Sequence, residues 1–191
     1  RERDFRAMFD FVAEAEAVEG LVPLTEPLVE SLRRLIGSDT AEFDEMDRAE
    51  RRFGLTAAAI DEPEEVEGLP SFWEIRHDHP LCRMHDEQPT LQKPVKLSDF
   101  FTPRQLRSTR IYAEWYGPSG ISDELEVTLS PSRHFTRTLV FDRNGGSFGE
   151  REREILAILR PHLVALCARA VERRRLDATL TAAASAATAV I

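Results

Sequence analysis

Two neighbouring segments alternate polar and apolar residues, and this alternation constrains the fold more than any other feature of the chain. Residues 124–129 alternate glutamate or threonine with leucine or valine. A period of two places the apolar side chains on one face of an extended strand. The segment from Thr136 to Asp142 supplies a partner strand. We therefore predict an antiparallel β-hairpin over these two segments.

The first 60 residues predict two helices and a second hairpin. Apolar residues spaced by three and four indicate an amphipathic helix over residues 5–20. A second helix begins where Thr25 can cap it with Pro27 in the first turn, and it ends at Gly37. Residues 39–56 then alternate in the manner of two short strands.

The longest predicted helix covers about 148–174, and we expect Ser147 and Glu150 to form a capping box at its start. At 1.5 Å per residue such a helix reaches about 40 Å. The radius of gyration of a domain of this size is only about 16 Å, so we expect the helix to project beyond it. We assign Arg169, Arg173, Arg174 and Arg175 to the end of this helix, where positive charge favours the helix dipole.

The middle of the chain is less regular. Residues 61–70 form an acidic segment without apolar periodicity and predict a surface loop. We expect a helix over 70–78, a turn and a second short helix, and then a strand over 93–97. Thr102 and the proline after it predict the start of a helix that continues over 103–116.

This order of elements implies an α+β fold, an antiparallel sheet with flanking helices on one side and a long C-terminal helix. It resembles a GAF-like or PAS-like sensor core. We assign residues 1–174 to one domain and residues 175–191, which are rich in alanine, to a linker.

Composition limits the classes of function. A chain of 191 residues buries roughly 70% of its unfolded surface and needs neither a metal nor a disulfide to hold a core. Two cysteines, Cys82 and Cys167, suit a reducing compartment. The net charge of −9 opposes binding to nucleic acid by this chain alone. No apolar run has the length of about 20 residues that spans a membrane, so we expect a cytoplasmic protein.

One short segment concentrates potential metal ligands. His77, His79, Cys82 and His85 lie within nine residues, a spacing that can surround zinc or iron. Pro80 prevents the four from sharing one regular helix. The favoured interpretation is that His79 precedes a proline at a helix end and bonds to the backbone, so we expect no metal and no other cofactor.

Aromatic side chains with polar groups are the candidates for a small-molecule site. Trp73, Phe100, Tyr112, Trp115 and Tyr116 belong to a helical region that would cover one face of the sheet. Such side chains give a ligand pocket its shape and orient its occupant. The same residues would equally serve as core.

Little in the sequence indicates catalysis. The chain has no glycine-rich phosphate loop and no His-Glu-x-x-His motif. Cys82 lies near His79 and could be a reactive thiol, although such a cysteine more often packs as a small apolar residue. We therefore do not expect an enzyme.

Two longer segments carry a family resemblance. They are KLSDFFTPRQLRSTRIYAEWYGPSGISDELEVTLS (96–130) and TLVFDRNGGSFGEREREILAILRPHLVALCARA (138–170), with FWEIRHDHPL (72–81) as a weaker third. They resemble the amino-terminal sensory region of actinobacterial LuxR-type transcription regulators. The resemblance implies a GAF-like domain followed by a helix-turn-helix that binds DNA, and the chain stops at Ile191, where that second domain would begin.

These observations lead to one hypothesis and two alternatives. The first is a regulatory domain that senses a small molecule and forms a homodimer through its first and last helices. The second is a dimerisation module without a ligand, in which the aromatic residues are core. The third is a metal, haem or redox sensor that uses the segment from His77 to His85.

Overall fold

Both hairpins expected from the sequence are present, and they belong to one sheet. The computed structural model describes residues 2–60, 72–88, 91–130 and 135–188. Its helices are α1 (Glu2–Glu16), α2 (Glu26–Ile36), α3 (Phe72–Ile75), α4 (Pro80–Glu87), α5 (Pro103–Leu106) and α6 (Glu150–Thr188). Its strands are β1 (Thr40–Asp47), β2 (Arg52–Ile60), β3 (Val95–Lys96), β4 (Asp123–Thr128) and β5 (Phe135–Arg143).

The five strands lie in the order β2-β1-β5-β4-β3 and pair antiparallel throughout. The two hairpins therefore join edge to edge, with β1 against β5. This register places Phe43 opposite Leu139, which in turn lies opposite Val127. One row of apolar side chains thus crosses the three central strands.

The main core lies between this row and the long helices. Helices α1, α2 and α6 pack their apolar faces on the same side of the sheet. Their buried contacts include Phe11 of α1, Leu32 of α2 and Leu159 of α6. The α+β fold class is confirmed. The expectation that helices lie on one side holds only for these long helices, because α4 lies against the opposite face.

The end of α2 shows why the predicted boundary was accurate. Gly37 has φ 74° and donates its backbone N–H to the carbonyl of Arg33 at 2.8 Å. This left-handed conformation strains a residue with a side chain but not glycine. At the other end Thr25 is the N-cap and Pro27 lies in the first turn, although the threonine side chain makes no capping hydrogen bond.

Helix α6 is longer than expected. It contains 39 residues, which corresponds to about 58 Å. Its first half is buried through Ile155, Leu156 and Leu163, whereas residues 175–185 are exposed. Residues 175–188 are therefore helical, and their role as a linker stays a prediction.

The predicted capping box at the start of α6 is wrong. The helix begins at Glu150, and the backbone N–H of Gly149 donates to Glu152 Oε2 at 2.7 Å. The preceding turn is held by Asp123 instead, whose Oδ2 accepts the N–H of Phe148 at 2.9 Å. Glu152 thus makes the local contact at the start of the helix, and a buried carboxylate from a distant strand holds the turn before it.

The role predicted for the arginines is also wrong, because α6 continues well past them to Thr188. They lie within the helix and not at its negative end. Arg169 pairs with Glu16 of α1 at 2.8 Å, and Arg174 lies 3.7 Å from Glu45 of β1. Tertiary ion pairs therefore account for these two charges.

The helix predicted over 103–116 is broken in two. After α5 the chain turns and forms a π-helical segment at Tyr112–Tyr116, closed by a hydrogen bond of 2.7 Å from the N–H of Gly117 to the carbonyl of Tyr112. A Cβ at Gly117 would lie 2.8 Å from that carbonyl oxygen. Glycine is needed there because the backbone approaches so closely.

The segment between β2 and α4 was predicted to hold a loop and a helix. The helix predicted over 70–78 is the short α3, followed by a turn. The acidic loop predicted at 61–70 lies outside the described residues. Within the described ranges, no helix has both the length and the apolar character of a membrane span.

Candidate functional site

The sheet has a second face, opposite the main core, whose buried side chains are mostly polar. Because Phe43, Val127 and Leu139 point into the core, their neighbours in each strand point the other way. We call this surface the polar face; it comprises Glu42, Asp44, Glu124, Glu126, Thr128, Thr138 and Asp142. Glu42 is half-buried, and the other six are only 2–8% exposed.

Helix α4 lies over the polar face and contributes two buried histidines. Pro80 occupies its first position, where no backbone N–H is required, and His79 is the N-cap. His79 Nδ1 accepts a hydrogen bond from the N–H of Cys82 at 3.4 Å. His85, near the other end of α4, places Nε2 at 2.6 Å from Glu126 Oε1.

A chain of hydrogen bonds joins α4, the π-helical segment and β4. Tyr116 is completely buried, and its hydroxyl lies 2.7 Å from His79 Nε2 and 3.4 Å from Glu124 Oε2. Because His79 Nδ1 accepts a backbone N–H, its Nε2 carries the proton and donates to the Tyr116 oxygen. The tyrosine hydroxyl then donates to Glu124. His79 Nε2 is thus the donor to Tyr116; burial lowers the pKa of His79, but Cys82 and Glu124 more than compensate and raise it well above its usual value.

His85 and Glu126 form a buried ion pair. Burial lowers the pKa of His85, but the Glu126 carboxylate more than compensates and raises it above its usual value. Burial raises the pKa of Glu126, but His85 more than compensates and lowers it. Both shifts favour the charged forms, and Thr128 Oγ1 lies 3.2 Å from the His85 ring nitrogens.

Three other carboxyl groups lack such compensation. Burial, followed by the charges of Glu42, Glu126 and Glu124, raises the pKa of Asp44 from 3.8 to about 8. Burial and the charge of Glu124 raise the pKa of Glu42. Burial, followed by the charges of Glu124 and Glu42, raises the pKa of Asp142 well above its usual value. At neutral pH the Asp44 carboxyl therefore favours its protonated form.

Several buried oxygen atoms on the polar face have no hydrogen-bond partner. They are Asp44 Oδ1, Glu124 Oε1 and Asp142 Oδ1. The Oδ2 atom of Asp142 accepts from Thr40 Oγ1 at 3.1 Å, and His79 Nε2 lies 3.5 Å from Glu124 Oε1. Buried acceptors are rarely left unsatisfied, so these three atoms require an explanation.

Two arginines, Arg48 and Arg76, lie at the rim of the polar face. Arg48 Nε lies 3.2 Å from Asp86 Oδ1, and Arg76 Nη2 lies 2.8 Å from Asp86 Oδ2. Asp86 thus engages both guanidinium groups. Trp73 borders this group, with the guanidinium carbons of Arg51 and Arg76 at 5.7 Å and 5.6 Å from its ring centroid.

The structure brings three of the predicted aromatic residues, Tyr112, Trp115 and Tyr116, into one small apolar cluster. Only Tyr116 reaches the polar face through its hydroxyl group. Tyr112 and Trp115 are half-buried against the small apolar cluster of Leu97, Leu106 and Ile111. Phe100 is 41% exposed. A ligand role for these residues and for Trp73 stays a prediction.

The residues considered as metal ligands are dispersed. His77 is exposed, whereas His79 caps α4, His85 pairs with Glu126, and Cys82 is buried as a free thiol. Over residues 2–60, 72–88, 91–130 and 135–188, no group of three or more His, Cys, Asp and Glu side chains is arranged to hold a metal ion. The interpretation that His79 bonds to the backbone at a helix end is confirmed.

Residues 145–149 (GGSFG) match the Gly-x-Ser-x-Gly spacing of some serine hydrolases. Ser147 is exposed between β5 and α6, and among the described residues no histidine makes a hydrogen bond to it. The motif therefore lacks the base that a nucleophilic serine requires.

Sequence reasoning missed the carboxylates of the polar face. A glutamate alternating with leucine in a strand ordinarily faces solvent, because antiparallel sheets commonly expose one side. The available signal was the number of acidic residues in paired strands, Glu42 and Asp44 opposite a segment containing Asp142. Their burial depends on α4, which the sequence does not place.

Structural comparison identifies the fold. The VqsR LBD domain from Pseudomonas aeruginosa superposes with a TM-score of 0.63 and 15% identity, covering 88% of this chain and 96% of that domain. A GAF domain from a Coxiella burnetii phosphoenolpyruvate-protein phosphotransferase gives a TM-score of 0.59 and 16% identity, over 90% and 96% of the two chains. The chain has a GAF-like fold.

A second GAF domain in this comparison contains a ligand. The phycoerythrobilin-bound GAF domain from a cyanobacterial phytochrome gives a TM-score of 0.61 and 14% identity, over 90% of this chain and 97% of that one. No protein-family model and no curated protein matches the sequence. At sequence identities of 14–16%, the similarity to these structures establishes the GAF-like fold.

Proposed function

We propose that this GAF-like domain is the ligand-sensing and dimerising regulatory domain of a LuxR-type transcription regulator. In this proposal it is a cytoplasmic, non-catalytic module, and DNA is bound by a helix-turn-helix outside the 191 residues. The observation that carries the sensing role is the set of unpartnered, buried carboxylate oxygens beneath α4. A ligand with matching hydrogen-bond donors would satisfy them.

The comparisons support the type of function. The VqsR domain is named an LBD, a ligand-binding domain, and the phytochrome GAF domain is bilin-bound. The resemblance of residues 96–130 and 138–170 to LuxR-type regulators supports the transcriptional context.

A route for the signal leads from the polar face to α6. Thr128 contacts His85 through its hydroxyl group, and its carbonyl accepts a hydrogen bond of 3.0 Å from Arg160 Nε of α6. A ligand that moves α4 would therefore shift β4 and the start of the long helix. The ligand can shift this equilibrium only by its differential affinity for the two states.

Exposed apolar residues on the first and last helices support the homodimer. Phe5 and Phe9 lie one turn apart on α1, and Leu176 and Leu180 lie one turn apart on α6. Phe9 and Leu180 are about 70% exposed. Large apolar side chains in such pairs mark interaction surfaces.

The dimer is tested by light scattering at micromolar concentration. We expect wild-type protein to be dimeric and the double variant Leu176→Glu/Leu180→Glu to be monomeric. Ala178→Glu, on the opposite side of the same helix, is the matched control and should remain dimeric. A monomeric wild type, or a dimeric double variant, would contradict this interface.

The sensing role is tested by native mass spectrometry, repeated after denaturation. A mass excess that disappears on denaturing, and that Tyr116→Phe reduces, would support a ligand on the polar face. A dimer that carries no small molecule, even when concentrated with cell extract, would favour the alternative of a ligand-free dimerisation module. The exposed leucines of α6 are the observation that favours this alternative.

A further inference from the structure

We propose that the polar face binds an organic cation of the diamine or polyamine class, held between Asp44 at one end and Asp142 with Glu124 at the other. This inference rests on the proposed ligand-sensing function and adds the chemical class of the ligand. Three observations carry it: the balance of charge, the unpartnered oxygens, and their separation along the sheet.

The balance of charge on the polar face is strongly acidic. Five carboxyl groups lie there, Glu42, Asp44, Glu124, Glu126 and Asp142. Among the described residues that cover the face, His85 pairs with Glu126 and His79 lies 3.5 Å from Glu124, so five carboxyl groups face two histidines. Buried charge of one sign is costly unless a counter-charge is bound or protons neutralise it.

The unpartnered carboxylate atoms of the polar face are acceptors, whereas Arg76 Nε at its rim is an unpartnered donor. Asp44, Glu124 and Asp142 are at least 93% buried, and each carries one oxygen without a hydrogen bond. Ammonium and guanidinium groups offer only donors, and hydrogen bonds between a cation and a carboxylate are the strong ones. An anionic or purely accepting ligand would add repulsion without satisfying any of these atoms.

The acceptors form two separate poles. Asp142 lies directly opposite Glu124, whereas Asp44 lies opposite Thr138. Asp142 is therefore four residues further along β5, which is about 13 Å at the usual strand rise. A single metal ion or monovalent cation cannot contact both poles. An extended aliphatic chain with a cationic group at each end can.

The carboxyl titrations agree with this assignment. The pKa of Asp44 is raised to about 8, so in the absence of a cation the site is partly neutralised by protons. A bound dication would replace those protons. The charged side chains that act on Asp44 are Glu42, Glu126 and Glu124, and those that act on Glu126 from the covering and neighbouring elements are His85, His79 and Arg48.

The test uses putrescine and spermidine as probes. The domain is refolded from denaturant to remove bound molecules, and titrated by isothermal calorimetry at physiological salt, which suppresses surface binding. We expect saturation at one ligand per chain. Affinity should increase about tenfold or more from pH 6 to pH 8, since the cation competes with protons on the polar face. 1,4-Butanediol and succinate serve as neutral and anionic controls.

Variants locate the site. Asp44→Asn and Asp142→Asn should each weaken spermidine binding at least tenfold, and neither introduces a new charge into the buried site. Asp10→Asn makes the same change of side chain at an exposed position on α1 and should alter affinity less than twofold. Thermal unfolding of each variant confirms that it is folded.

The outcomes separate this inference from the proposed function. Binding that is lost in the two polar-face variants and kept in Asp10→Asn supports the inference. Equal binding by Asp44→Asn and wild type would show surface association and overturn it. Failure of both polyamines, together with a different co-purified molecule that depends on Tyr116, would overturn the inference and leave the sensing function intact. The absence of any bound molecule would remove both.

Discussion

Replacing Asp44 by asparagine should stabilise the protein, and this prediction tests the description of the polar face. Asp44 is 6% exposed, its Oδ1 has no hydrogen bond, and other carboxylates surround it. Asparagine has nearly the same shape and carries no charge. The substitution therefore mimics the protonated aspartic acid that the folded state favours.

The magnitude follows from the pKa of Asp44. In the folded state this pKa is about 8, whereas an aspartate in the unfolded chain has a pKa of 3.8. Between these values the unfolded state releases the proton while the folded state keeps it, so stability falls as pH rises. Each pH unit in this window costs about 1.4 kcal/mol. Asp44→Asn should therefore raise the free energy of unfolding by about 4 kcal/mol at pH 7, and by less than about 2 kcal/mol at pH 5.

Urea unfolding of the ligand-stripped protein at pH 5 and pH 7, followed by far-UV circular dichroism, measures both values. Asp10→Asn, which removes an exposed carboxylate, should change stability by less than about 0.5 kcal/mol at either pH. A loss of stability in Asp44→Asn at pH 7, or a gain of the same size at both pH values, would refute the reasoning.

Three further substitutions probe the supports of the polar face. Tyr116→Phe removes a buried hydroxyl with two partners and should cost about 1–3 kcal/mol in urea unfolding. His85→Gln leaves Glu126 without its cation and should cost about 3–5 kcal/mol near pH 6. Because the folded pKa of His85 is raised, that cost should shrink as pH rises through it, and an unchanged cost at pH 9 would argue against the ion pair. Gly117→Ala forces a Cβ to 2.8 Å from the Tyr112 carbonyl and should cost about 1–3 kcal/mol, with a lower melting temperature; an unchanged melting temperature would contradict the tight π turn.

The local signals that predicted elements correctly are those that act within a few residues. Gly37 ends α2 because the left-handed conformation at that one position favours glycine. The alternation in 124–129 predicted β4 because a strand repeats every two residues wherever it lies. The predictions that failed depend on distant partners: Asp123, rather than Ser147, holds the turn before α6, and a backbone contact at Gly117 interrupts the helix predicted over 103–116.

The sequence by itself determined the α+β class, both hairpins and the long final helix, because apolar periodicity reports which side of each element is buried. It did not determine what lies against the other side of the sheet. Only the tertiary structure decided that α4 covers Glu124 and Glu126, and so converted an apparently solvent-facing row of acids into a buried one. The physical reason is that burial is a property of two surfaces in contact, and the pattern along one strand describes only one of them.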